Sequence, residues 1–410
     1  MRRDTVARLA ADAFALAVSL LTATLTARAL GPAGKGFYAT LTLLASLLVV
    51  AFEVGIGDAM IVLVGLGRAK LQDAARATMQ ATLYLAVAGT LVFVVIAMLV
   101  FHPVESEDRL AVAMGGLFVA VGVCYSTLVS FLLAAQRVAL VAAMAAVGSG
   151  ATAGVMVLLA VGFELDVEGA IFASLCGTTV ALAATLFRAR AGGIPVRPRR
   201  VPGYLSQAFR MGFGFLVPSL LIVAAARLDL LLVFELSGSA SAGRYSVALT
   251  VGALAISVPT AIAYAAFPRI ASMGDSEARS FTTRVFFNGT LCAIVSALLL
   301  AAATPLALPW MFGEDFRPAV TPTLILLAAA VPWSGQWLLA RATSARGDPT
   351  MLMASFTIGF LVMIGLDFIL IPVHGENGAA VAALVSALVG LCVAAGLHRW
   401  RRAAPSRSSA

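Results

Sequence analysis

Residues Gly238–Tyr245 read GSASAGRY, and 207 positions earlier Gly31–Tyr38 read GPAGKGFY. Both are G-x-A-x-x-G-x-Y, and each separates two long apolar runs. Further matches keep the same order. Gly169–Leu175 (GAIFASL) and Gly378–Leu384 (GAAVAAL) share G-A-x-x-A-x-L at an offset of 209. Ala135-Gln136-Arg137 and Ser344-Ala345-Arg346 place an arginine at that offset too. Three ordered matches at nearly constant spacing argue that the chain is a duplication.

The composition says what was duplicated. Of 410 residues, 61% are hydrophobic and 12% charged, against about 25% charged in soluble domains. No soluble core buries that much apolar surface, so the chain reads as an integral membrane protein. A span needs about 20 apolar residues. Twelve stretches qualify, near 9–28, 37–64, 78–101, 110–134, 138–163, 168–187, 210–234, 243–267, 285–308, 320–341, 350–372 and 379–398. The alternation of a membrane β-barrel is absent. The expected fold is therefore all-α, with 12 transmembrane helices in two six-helix lobes. An even number of spans gives both copies one orientation, hence a parallel pseudo-two-fold along the membrane normal, the plan of some transporters.

The domains follow: an N-lobe at 1–187, a linker at 188–209, a C-lobe at 210–398 and a tail at 399–410. The linker region, RARAGGIPVRPRRVPGYLSQAFR from Arg188 to Arg210, reads as flexible from its Gly, Pro and Arg content. It could touch anionic headgroups of the membrane lipid. Met1–Ala29 has a basic start and a small-x-small ending, but its apolar run exceeds that of a cleaved signal. It reads as a retained first span.

The net charge of +8 does not point to nucleic acid, because the basic residues form short clusters bordering spans, as membrane topology is encoded. With the N-terminus inside, 22 of the 28 basic residues fall in cytoplasmic segments and five in outer ones, Arg227 being the remainder. Both termini are expected in the cytoplasm, and the location is the cell membrane. Glu105, Glu107, Asp108 and Glu164 make the outer loops acidic. Cys124, Cys176, Cys292 and Cys392 are isolated within apolar runs, so neither a disulfide framework nor a metal site is indicated.

Ionisable residues inside spans are functional candidates by default. Arg227 and Asp229 lie in the seventh span, two residues apart, so they point in different directions and each needs another partner. Arg227 either faces a cavity or snorkels to the headgroups. In the second span, AFEVGIGDAM carries Glu53 and Asp58, with Gly55 and Gly57 weakening the helix between them into a candidate hinge or break. Glu53 suits a coupling ion or an arginine partner. Pro218 and Pro259 each remove a backbone hydrogen bond and are further hinge candidates. Arg28 marks the outer end of the first span. Asp12, Asp367 and Arg341 sit near span ends and read as interfacial, as do the tyrosines of the repeated motif. Positive φ is expected at Gly31 and Gly238.

These segments resemble the lipid-linked oligosaccharide flippase and polysaccharide-export family of the multidrug/oligosaccharidyl-lipid/polysaccharide exporter superfamily. The resemblance rests on ARALGPAGKGFYATLTLLASLL (Ala27–Leu48) with EVGIGDA (Glu53–Ala59) in the first half. In the second half it rests on RLDLLLVFELSGSASAGRYSVA (Arg227–Ala248), PTAIAYAAFPRIA (Pro259–Ala271) and FILIPVHGENGAAVAAL (Phe368–Leu384). It implies a V-shaped, MATE-like pair of lobes around a central cavity, working by alternating access. The implied substrate is an isoprenoid (pyro)phosphate-linked oligosaccharide, moved from inner to outer leaflet for cell-surface polysaccharide biosynthesis. Arg28 and Arg227 are then the headgroup candidates, since guanidinium pairs with phosphate through two hydrogen bonds. Glu53 and Asp229 are the candidates for coupling to H⁺ or Na⁺.

The same superfamily offers a cation-coupled multidrug antiporter, which would use those carboxylates, and a lipid II flippase. A membrane-embedded glycosyltransferase or ligase would require acidic or histidine clusters in a sizeable outer loop. His102, His374 and His398 are scattered instead, and the outer loops are short. The expectation is a transporter, not an enzyme, without cofactor or metal.

Overall fold

The computed structural model describes residues 2–101, 108–163, 165–199, 201–344 and 350–403, and among these it contains helices and no strand. Glu105, Glu107, Glu164, Arg200, His102, the Ala345-Arg346 anchor of the repeat and the end of the tail lie outside the described residues. The chain forms two compact units, Met1–Ala224 and Ala225–Ala410.

The first unit holds α1 (Arg2–Glu53), α2 (Ile56–Gly65), α3 (Leu71–Val100), α4 (Asp108–Ala134), α5 (Val138–Gly162) and α6 (Val167–Ala191). The first part of α7 (Tyr204–Ser237) completes it. The second unit holds the rest of α7, then α8 (Ser239–Ser272), α9 (Asp275–Phe312), a short 3-10 turn (Glu314–Ala319), α10 (Val320–Ser344), α11 (Thr350–His374) and α12 (Glu376–Ala403). By length and composition, 10 helical stretches among the described residues could cross a membrane, Phe14–Glu53 counting as one although Gly31 divides it.

The repeat seen in the sequence is written into the backbone. Gly31 adopts φ 63° and ψ −178°, and Gly238 adopts φ 85° and ψ 169°. This region is open almost only to glycine. A single residue in this conformation ends one helix and starts the next, and Pro32 then takes a first-turn position where its missing N–H costs nothing.

Each unit is organised around one helix. In the first, α4 packs on α1, α2, α3 and α6; in the second, α10 packs on α8, α9, α11 and α12. Alanine fills much of both interiors, which lets helices approach closely where lipid removes the hydrophobic drive to associate.

The arginine-rich connection after α6 is not a free tether. Ile194, Tyr204 and Ala208 are buried in a cluster with Met60, Leu63, Ala74, Ala75, Leu128 and Phe131. The Arg199 N–H donates to the Arg76 carbonyl at 3.2 Å, and the hydroxyls of Tyr204 and Thr78 lie 3.3 Å apart. Composition suggested flexibility here; the apolar residues interleaved with the arginines fold the segment onto the end of α3.

Candidate functional site

Among the described residues the second unit buries three carboxylates, Asp229, Asp367 and Glu376, of which only Glu376 is in an ion pair. Asp229, on α7, is 3% exposed and Asp367, on α11, is fully buried. They are close enough for their charges to interact. The Gly238 turn folds α8 back along α7. Asp229 lies nine residues before it and Tyr245 seven after, roughly 14 and 11 Å along their helices, so the two meet at a similar depth. The Tyr245 hydroxyl donates to Asp229 Oδ2 at 2.5 Å, and the Leu230 N–H donates to Oδ1 at 2.8 Å. Asp229 is thus held in place from both sides. Asp367 is not: among the described residues neither of its oxygens has a hydrogen-bond partner. Tyr245 is fully buried and also senses the Asp367 charge.

The site is closed on one side by a strap. Arg244 Nε donates to Glu376 Oε1 at 2.6 Å and its Nη2 to the Ser241 hydroxyl at 3.2 Å. The Ser237 hydroxyl donates to the Ile371 carbonyl at 3.2 Å. These bonds tie the α7–α8 turn to the α11–α12 turn, where Gly375 has φ 56°.

The corresponding tyrosine of the first unit makes the comparison informative. Tyr38 bonds to the Ser174 hydroxyl at 2.8 Å and packs in an apolar cluster around Met156, Leu25 and Leu30. Thr22 stands 207 residues before Asp229 and bonds its own helix, to the Ser19 carbonyl. The duplicated tyrosine therefore bonds a serine hydroxyl in one unit and a buried carboxylate in the other. Nearby, Lys35 is buried, and its ammonium donates to the Thr26 hydroxyl at 2.6 Å and sits 5.3 Å from the centre of the Tyr38 ring.

The break expected near Gly55 and Gly57 is present. Val54 and Gly55 take φ 50° and 62°, separating α1 from α2. A positive φ at a β-branched residue is an outlier, and strain of this sort collects at working positions. Backbone approaches backbone here: a Cβ on Gly55 would meet the Gly212 carbonyl, and one on Gly212 would meet that of Val54. Glu53 is half-buried at the end of α1 and faces Ser126 and Ser130 of α4, with Gly57 leaving the room for that contact. Asp58 is exposed.

The other candidates are dispersed. Arg28 is exposed in the first unit. Arg227 is exposed in the second, and its charge acts on Asp229 without forming an ion pair. Pro218 lies in α7 and Pro259, buried, in α8; both helices run without interruption through these positions. Two readings need correction. Asp367 is not interfacial but buried, because α11 turns the stripe Met351, Ser355, Gly359, Met363, Asp367 and Ile371 inward. Tyr245 is not at a water–lipid boundary but binds Asp229. The cysteines are free, and the described residues contain no group of three or more His, Cys, Asp or Glu suited to a metal ion.

Solved structures share this architecture. A multidrug resistance MATE family transporter of the MOP superfamily aligns over 99% of this chain and 100% of its own, with a TM-score of 0.74 at 17% identity. This chain shares the fold of that transporter. The lipid II flippase MurJ aligns over 96% of this chain and 87% of its own, with a TM-score of 0.76 at 13% identity. A MOP superfamily transporter from Pyrococcus furiosus, described by the reversed polarity of its binding pocket, gives 0.56 at 15% identity over 97% and 93%. No model of a known protein family matches the chain, and no curated protein does.

Proposed function

We propose that this chain is a cation-coupled flippase that carries an isoprenoid (pyro)phosphate-linked oligosaccharide from the inner to the outer leaflet, with both termini in the cytoplasm. The observation that carries the coupling is the enclosed pair Asp229–Asp367. Two interacting carboxylates out of reach of water are unfavourable when both are charged, so a proton on one of them, or a monovalent cation bound beside them, would relieve the repulsion. Asp229, fixed by Tyr245 and Leu230, provides a rigid ligand; Asp367, with both oxygens uncommitted, provides the one that can accept a proton or an ion. Occupancy then changes how α7 and α11 hold together, a differential interaction of the kind any ligand-driven shift requires. The fold shared with the lipid II flippase MurJ and the exposed Arg28 and Arg227 support a phosphate-bearing lipid substrate.

A second reading is a cation-coupled multidrug antiporter. It is favoured by the same acid pair and by the fold shared with a multidrug resistance transporter. Proteoliposomes carrying a labelled lipid-diphosphate sugar, with H⁺ or Na⁺ gradients imposed, separate the two. Flipping that depends on the gradient and falls in Asp229→Asn supports the flippase. Efflux of a cationic drug under that gradient, with no flipping, replaces it by the antiporter. Retained flipping in Arg227→Ala would remove only Arg227 from the headgroup site.

A further inference from the structure

The arginine-rich end of the first unit carries a feature that transport does not use. Where the connection after α6 folds onto α3, it leaves an apolar groove of about 410 Å³ lined by Gln80, Ala81, Tyr84, Val201, Pro202 and Leu205. From Tyr84 the groove runs into a row of exposed apolar side chains on α3, Val87, Leu91 and Val95, spaced three or four residues apart and so on one face. The segment that leads into Val201 and Pro202 of the groove is strongly basic. Arg197 and Arg199 are exposed, and the Arg199 backbone is bonded to Arg76, one turn before Gln80. Lys70, Arg137, Arg188, Arg190 and Arg210 are exposed at the ends of the neighbouring helices. The acid on this stretch of α3, Asp73, is spent on Arg76 at 3.9 Å.

We infer that this groove is a binding site for an anionic phospholipid, one acyl chain lying along Tyr84 and Val87 and the phosphate held by Arg197 and Arg199. Charge complementarity selects the occupant: a row of hydrocarbon ends at guanidinium groups, which pair with phosphate oxygens through two parallel bonds. A topology signal alone requires basic residues near span ends. It requires neither that the connection be folded by Ile194 and Tyr204 nor that the folded segment shape a groove. A bound phospholipid accounts for both, and would fasten the connection to α3.

The test uses the purified full chain in detergent, titrated with phosphatidylglycerol or phosphatidylcholine and read by native mass spectrometry and by the unfolding midpoint. Phosphatidylglycerol is expected to bind and stabilise, phosphatidylcholine to do so far less. Each basic residue near a lipid surface contributes about 1 kcal/mol, a factor of about five, so Arg197→Gln with Arg199→Gln should weaken phosphatidylglycerol binding roughly 25-fold. Tyr84→Ala, at a side chain 67% exposed, should weaken both lipids. Arg317→Gln, on the exposed 3-10 turn of the second unit, should leave binding within twofold. Equal responses to the two lipids overturn the inference, as does an undiminished response in the Arg197/Arg199 variant. Displacement of phosphatidylglycerol by equimolar isoprenyl phosphate also overturns it, assigning the groove to a carrier lipid.

Discussion

Replacing Tyr245 with phenylalanine removes one oxygen atom and little else. The ring is fully buried and keeps its packing, but the 2.5 Å bond to Asp229 is lost. Asp229 Oδ2 is then left in an interior from which water is excluded, with Oδ1 still held by the Leu230 N–H. Hydrogen bonds between transmembrane helices average about 0.6 kcal/mol and reach about 1.7. Bonds to a charged acceptor are worth about 1.5–3 kcal/mol, so the upper end applies here. For a unit the size of the second, 2–4 °C per kcal/mol converts this to a fall of roughly 3 to 12 °C in the unfolding midpoint. The assay is a double-mutant cycle with Tyr245→Phe, Asp229→Asn and their combination, each followed by thermal unfolding in one detergent. A coupling of about 1 kcal/mol or more is expected, because the second change finds the bond already gone. Additivity within about 0.5 kcal/mol would refute the claim that Tyr245 fixes Asp229, and the rigid half of the ion site with it.

Other consequences follow from the same geometry. Gly31→Ala and Gly238→Ala should each cost about 1–3 kcal/mol, because a Cβ meets nothing within 4 Å at either turn and only the backbone conformation resists; equal midpoint shifts in the two would confirm the shared turn, and no shift would contradict it. Gly55→Ala should be worse than either, since its Cβ would press on the Gly212 carbonyl, and backbone cannot swing away; expression and unfolding of the variant would check this. Arg244→Met leaves Glu376 without its partner at a site where the carboxylate side chain is only 10% exposed. Removing one member of a buried pair costs about 3–5 kcal/mol whereas replacing both is often neutral, so Glu376→Met should recover most of the stability lost in Arg244→Met.

How much of this was readable in advance depends on what each residue needs around it. The turns at Gly31 and Gly238 are local events, and a duplicated motif with glycine at the same place announces them. The break after Glu53 was legible in the same way, from Gly55 and Gly57, although the strained residue proved to be Val54, whose side chain gives no such signal. Asp229 stood out because it interrupts an apolar run. Asp367 did not, because a carboxylate seven residues before the end of α11 looks interfacial until the tertiary packing turns that face inward. Its signal was a charge on the stripe of α11 that also carries Ser355 and Gly359, small residues that mark a packed face. Tyr245 was misread because a tyrosine beside a turn suits the headgroup region equally well; only its partner, 16 residues earlier and across the hairpin, decides. The folding of Ile194 and Tyr204 was hidden by the proline, glycine and arginine around them.

The central claim is that Asp229 and Asp367 together hold a coupling cation, and cation-dependent stability tests it most directly. The unfolding midpoint would be measured against Na⁺ concentration, at constant ionic strength with choline, and against pH. Binding to the folded state alone adds about 2.7 kcal/mol at one hundred times the dissociation constant. The account predicts a clear rise with Na⁺ or with H⁺ in the native chain, its loss in Asp367→Asn and Asp229→Asn, and its survival in Glu53→Gln. A native chain indifferent to both ions, or an Asp367→Asn variant that responds as the native chain does, would contradict it.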